Sequence, residues 1–168
     1  MTQEINRQYL EIKSPEDIKE NNKIDNNYSL NLVDLKDFQL NKFFYKQIGK
    51  KYNWKDRLVW TDKNWIDFVS NKNLKTYILR DKQDLIGYFE LILHLEKNEV
   101  EIAYFGILEE YFGKKLGSYL LTEALKKSFS YKGVQRVWCH TCSLDHNHAL
   151  KNYLARGMSI FKSEILKI

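Results

Sequence analysis

The sequence predicts a mixed α/β fold, with a mostly antiparallel central sheet flanked by helices on both faces. Three features predict it. Several short segments alternate apolar and polar residues, which turns one face of a strand toward a core. Others repeat apolar residues every three or four positions, the period of a helix lying on that sheet. Three β elements in meander order, then strand, helix and strand, give a mixed sheet covered on both faces. With 168 residues, 43% hydrophobic and 29% charged, the chain suits one globular domain spanning 1–168. Residues 1–27 are expected to form an N-terminal extension with a short extra strand.

In chain order, residues 8–12 read as that extra strand, and Ser14 before Pro15 can cap a helical turn. The polar run 20–27 reads as a loop, and Leu30 and Leu32 mark a strand over 29–35. From Asp37 the period becomes helical, with Leu40, Phe43, Phe44 and Ile48 on one stripe ending near Gly49. Residues 52–60 are irregular and aromatic. Thr61 can cap a second helix that carries Trp65, Phe68 and Val69. Strands over 75–80 and 85–95 flank the polar turn 81–84, and Lys97-Asn98 turns the chain into a strand over 99–108. A helix over 113–131 places Leu116, Leu120, Leu121, Ala124 and Leu125 on one face. A strand over 135–142, a helix over 146–156 and a strand over 158–166 complete the chain.

Charge and composition exclude some functions. The net charge of +5 and the pI near 9.0 arise from scattered Lys and Arg, with no basic block to suggest a nucleic-acid face. No apolar run reaches the roughly 18 residues of a membrane span. Two cysteines cannot build a disulfide scaffold, and we expect a cytoplasmic protein. Cys139-His140-Thr141-Cys142 imitates a metal site. A strand, however, sends positions 139 and 142 to opposite faces, so no metal is expected.

The most informative stretch runs from 99 to 158. A strand enters a glycine-bearing turn and opens a helix, which presents unpaired backbone N–H groups at a positive dipole end. The turn reads Phe112-Gly113-Lys114-Lys115-Leu116-Gly117-Ser118. About thirty residues later come His146, Asn147, Ala149, Tyr153, Gly157 and Met158. These two blocks, in this order, resemble the GNAT superfamily of acyl-CoA-dependent N-acyltransferases, and the chain looks like a bacterial subgroup of it. The family's turn follows Arg/Gln-x-x-Gly-x-Gly/Ala. Here it begins at Phe112, with Lys115 and Gly117 at the small-residue positions. The later block follows Asn-x-x-Ala-x-x-x-Tyr-x-x-x-Gly-Phe, with His146 in the Asn place and Met158 in the Phe place.

The resemblance implies acetyl-CoA as co-substrate and direct transfer of its acetyl group to a small-molecule or peptide amine. The cofactor would be held by Ile107, Leu108, Gly113, Lys114, Lys115, Leu116, Gly117, Ser118 and Asn147. Tyr153 would protonate the departing thiolate. Lys115 is accommodated if its φ is negative. The strand over 99–108 should splay from the one after Gln135 to admit the pantetheine arm. Glu101 is the first candidate for the general base, with Glu90 and His140 in reserve. Trp54, Asp56, Arg57 and Trp60 are candidate acceptor-side residues; the other reading makes them an aromatic mini-core with an internal ion pair. A GNAT-fold module that binds acyl-CoA without turnover is the alternative function. The chain carries one final strand where many members carry two. Either the N-terminal strand or a second subunit, as in a homodimer, is expected to cover that edge.

Overall fold

The structure, a computed structural model, describes residues 2–20, 24, 27–34 and 37–168. Its elements are β1 (Glu4–Ile12), β2 (Tyr28–Leu32), α1 (Phe38–Gly49), α2 (Asp62–Ser70), β3 (Leu74–Asp81), β4 (Asp84–His94), β5 (Glu99–Ile107), α3 (Leu116–Ser130), β6 (Arg136–Cys142), α4 (Ala149–Ala155) and β7 (Ser159–Lys167). Among these the strands form one sheet in the order β2-β3-β4-β5-β6-β1-β7. Every neighbouring pair is antiparallel except β5 and β6. The strand expected over 29–35 ends at Leu32, and its predicted end Leu35 lies outside the described residues, as does most of the predicted loop 20–27.

The extra N-terminal strand is longer than its sequence suggested, and it is interior. β1 pairs with β6 from Arg7↔Cys142 to Ile12↔Val137, and with β7 from Glu4↔Lys167 to Glu11↔Ser159. Leu10 and Ile12 are buried there. The chain's own N-terminus thus stands between β6 and β7, where the sequence left an edge to be covered.

Helices cover both faces. Leu116, Leu120, Leu121, Ala124 and Leu125 of α3 pack with Leu79, Leu91, Val100 and Ile102 of the sheet. On the other face Phe44 and Ile48 of α1 meet Ile78, Tyr88 and Leu108, and the Phe44 and Tyr88 rings stack 4.8 Å apart. The irregular segment after α1 is pinned by a buried ion pair. Arg57 Nη1 donates to both carboxylate oxygens of Glu90 at 2.9 and 3.0 Å, and Asn41 Nδ2 donates to Glu90 Oε1 at 3.0 Å. The guanidinium also lies 4.2–5.7 Å from the rings of Phe68, Tyr104, Trp60, Tyr45 and Trp65. A charge removed from water needs such partners, and here the cation fills an aromatic box of the protein's own making.

β5 and β6 pair over only three positions, Glu99↔Arg136 to Glu101↔Trp138, and then part. The predicted splay is present, and it opens the space described next.

Candidate active site

A cleft of about 900 Å³ occupies the gap between β5 and β6 and continues toward β1 and the segment after α1. Its first wall is the end of β5. Leu108 donates its N–H to the Ile86 carbonyl of β4 at 2.8 Å. Alternate residues of an antiparallel pair direct their backbone groups oppositely. Ile107 therefore turns its N–H and C=O away from β4 and into the gap, whereas the Leu108 amide is spent on β4.

The turn after β5 makes the second wall. A 3-10 turn (Glu109–Tyr111), tied by the Lys51–Glu109 ion pair, leads into Gly113 at φ +81° and Lys115 at φ +60°. The condition set for accommodating Lys115, a negative φ, is thus not met: the lysine adopts the left-handed conformation, at a position where the resembling pattern has glycine. For an L-residue this strain amounts to roughly 1 kcal/mol. Its reward is geometric, because the helix starts at Leu116 and not at Gly113, with no side-chain cap. Tyr119 is the first residue whose N–H reaches a carbonyl, that of Lys115 at 3.3 Å. The amides of Leu116, Gly117 and Ser118 belong to the first turn, which has no intrahelical acceptor for them, and all three residues line the cleft.

Helix α4 supplies the third wall and is shorter than predicted, because Asn147 and His148 form a turn ahead of it. Asn152 Nδ2 donates to the Gly117 carbonyl at 3.2 Å, locking α4 onto the start of α3, while its Oδ1 is buried without a partner. Tyr153 is buried with its ring 6.4 Å from that of Phe105. Burial holds its phenol protonated far above the ordinary range, and Cys139 and Asp145 push the same way. Gly157 ends this unit at φ +105°; a Cβ there would lie 2.1 Å from the Asp17 carbonyl oxygen, so the spacing to Tyr153 ends on a glycine for steric reasons.

Of the residues proposed from sequence, the cleft lining brings together Ile107, Gly113, Lys115, Leu116, Gly117, Ser118, Tyr153, Trp54 and Asp56. Leu108, Lys114 and Asn147 lie outside the lining: Leu108 is in the α1 core, Lys114 stands over the Tyr111 ring, and Asn147 is exposed. Glu101 also lies outside it, bonded to His94 Nε2 at 3.0 Å. Glu90, Arg57 and Trp60 belong to the aromatic box. Among the three base candidates, only His140 lines the cleft. Partial desolvation against the cleft wall, then the positive charge of Arg7, hold the imidazole of this otherwise exposed residue below the ordinary value, against the opposing pull of Glu101, Asp145 and Asp56.

Sequence reasoning missed Arg7, Tyr52, Asp145 and Asn152, which line the cleft as well. Asp145 Oδ2 accepts from Thr141 Oγ1 at 2.6 Å and from the Cys142 amide at 2.9 Å. Asn152 stands beside Tyr153 in the second block and was within reach of a spacing argument; Arg7 arrives only through the insertion of β1. His146, in the family's Asn place, spans the cleft by ring contacts to Phe112 at 5.2 Å and Tyr52 at 6.2 Å. Among the described residues no group of three or more His, Cys, Asp or Glu could hold a metal ion, and no helix is long and apolar enough to cross a membrane.

A splayed parallel pair, a helix opened by a tight turn and a buried tyrosine thus meet at one cleft. The profile of the Acetyltransferase (GNAT) family matches residues 33–158, and the chain belongs to that family. No curated protein matches it. Among solved structures it is similar to a GCN5-related N-acetyltransferase from Kribbella flavida (14% identity, TM-score 0.65, covering 96% of this chain and 56% of that one). It is similar too to a GCN5-related N-acetyltransferase from Sphaerobacter thermophilus (14%, 0.70, 99% and 52%). A third is an aminoglycoside acetyltransferase from an uncultured soil metagenomic sample (13%, 0.64, 80% and 90%). The chain spans about half the length of the first two, and at these identities the likeness is one of fold.

Proposed function

We propose that this protein transfers the acetyl group of acetyl-CoA directly to an amine, with Tyr153 as acid and His140 as base. One observation carries the reading: the open amides of α3, the turned-out backbone of Ile107 and the protonated phenol of Tyr153 all face one cleft. The residues present fit acetyl-CoA. Three first-turn amides at a helix N-terminus suit a diphosphate, and the unpartnered Asn152 Oδ1 suits an amide donor. Acetyl-CoA supplies the activated acyl group as a thioester. The Ile107 N–H is placed to polarise a carbonyl lying along β5. His140, its pKa lowered by partial desolvation and by Arg7, takes a proton from the acceptor ammonium, in the place first assigned to Glu101. Tyr153 gives its proton to the leaving sulfur and, being buried, has no competing tendency to ionise.

The test is CoA release with an amine panel in wild type, Tyr153→Phe and His140→Gln. Tyr153→Phe is expected to lower kcat about 100-fold while retaining acetyl-CoA affinity. Acetyl-CoA binding without CoA release from any amine would contradict transfer and leave a binding module in its place.

A further inference from the structure

Arg7 is a cation with spare donors in a wall of the acceptor half of the cleft. Its Nε is buried and has no hydrogen-bond partner. Among the described residues its one ion-pair distance, Nη1 to Glu164 Oε1, is 3.9 Å, beyond hydrogen-bonding range. Glu164 meanwhile accepts from the Tyr9 hydroxyl at 2.7 Å and pairs with Lys162 at 3.3 Å. A buried guanidinium N–H left unsatisfied is costly, and an anion entering the cleft would satisfy it.

The sheet register says where that anion would sit. Arg7 pairs directly with Cys142, and Tyr9 with His140. Directly paired residues share a face, and residues two apart on a strand share it as well, so Arg7, Cys142 and His140 all face the cleft. Diagonal neighbours of this kind lie about 7–8 Å apart at the backbone. An acceptor whose nitrogen meets His140 would therefore bring a group a few bonds away beneath the Arg7 fork. Across the cleft stand Tyr52, Trp54 and Tyr104, which suit an apolar or aromatic body. The Asp56 and Asp145 carboxylates also face this region, as do Lys55 and His148. With both anionic and cationic groups in its lining, the cleft suits a zwitterion better than a polycation.

We propose that the acceptor is an amine that also bears a carboxylate, an amino acid or a close analogue, with Arg7 as the residue that binds the carboxylate. Arginine matches a carboxylate with two parallel N–H donors, and Arg7 is fixed by strand pairing on both sides. The inference rests on the transferase reading and goes beyond it.

The experiment compares CoA release from L-phenylalanine, its carboxamide and phenethylamine, in wild type and Arg7→Met. Wild type is expected to favour the carboxylate at least tenfold in kcat/KM, chiefly through KM. In Arg7→Met that ratio falls toward one while the KM for acetyl-CoA is held. Equal or better use of the carboxamide or phenethylamine by wild type overturns the proposal and leaves the transferase reading standing, as does an unaltered ratio in Arg7→Met. Release from none of the three is decided by binding of N-acetyl-L-phenylalanine against N-acetylphenethylamine, read by tryptophan fluorescence; only release from no amine of the wider panel sinks the transferase reading. Arg7-dependent preference for the carboxylate supports the proposal, and its absence overturns it. Should Arg7→Met not fold, Arg7→Lys keeps the charge without the planar fork and is expected to lose most of the same ratio.

Discussion

Lys115 shows how a single residue can depart from a family pattern without changing the turn. Its backbone takes the left-handed conformation that glycine would take, and the strain stays in the chain. Lys115→Gly is therefore expected to raise stability to urea by up to about 1 kcal/mol. An unaltered or lowered midpoint would show that the side chain makes compensating contacts. Arg57 is the opposite case, a charge wholly enclosed by protein. Glu90→Gln is expected to destabilise by about 3–5 kcal/mol, because the guanidinium stays buried and loses its counter-charge. His140 ties residue chemistry to pH. A base must be neutral, and the pKa of His140, the one proposed, is depressed, so kcat/KM is expected to be lost only as pH falls through a value below the ordinary ~6.5 of histidine. Arg7→Met removes one cause of that depression and should move the acid limb upward; a limb that stays put would assign the base elsewhere.

Among the elements, β1 carries the clearest consequence. Leu10 is fully buried between β6 and β7, so Leu10→Ala is expected to cost about 2–5 kcal/mol in urea unfolding. A peripheral extension would give almost nothing. Which elements were legible follows from where their determinants lie. Strands β3, β4 and β5 and helices α1 to α3 were readable because their periodicity is local. The insertion of β1 was not, since strand pairing between residues 7 and 142 leaves no trace in either segment alone. The start of α3 was misplaced because a left-handed lysine looks, in sequence, like an ordinary helix former. The same division holds for the site. The turn and Tyr153 follow from spacing, whereas Arg7 and Asp145 are brought in by pairing and by a capping loop. Arg57 and Trp60 left both readings open in sequence, because a buried aromatic box and an open aromatic cleft have the same composition; the structure shows the box.

At the scale of the whole molecule, the sheet is continuous at one end of β5 and β6 and open at the other. Both functional halves depend on that opening: α3 and α4 border one side, while β1 and the segment after α1 border the other. The central claim is that the first-turn amides of α3 hold the diphosphate of acetyl-CoA. Its most direct measurement is isothermal titration of acetyl-CoA into wild type and Ser118→Pro, since proline in a first helical turn removes one N–H at little structural cost. Wild type should bind, and Ser118→Pro, folded by circular dichroism, should bind at least tenfold more weakly, the worth of one hydrogen bond to a charged group. Equal affinity in the two proteins, or no binding by wild type, would contradict the account.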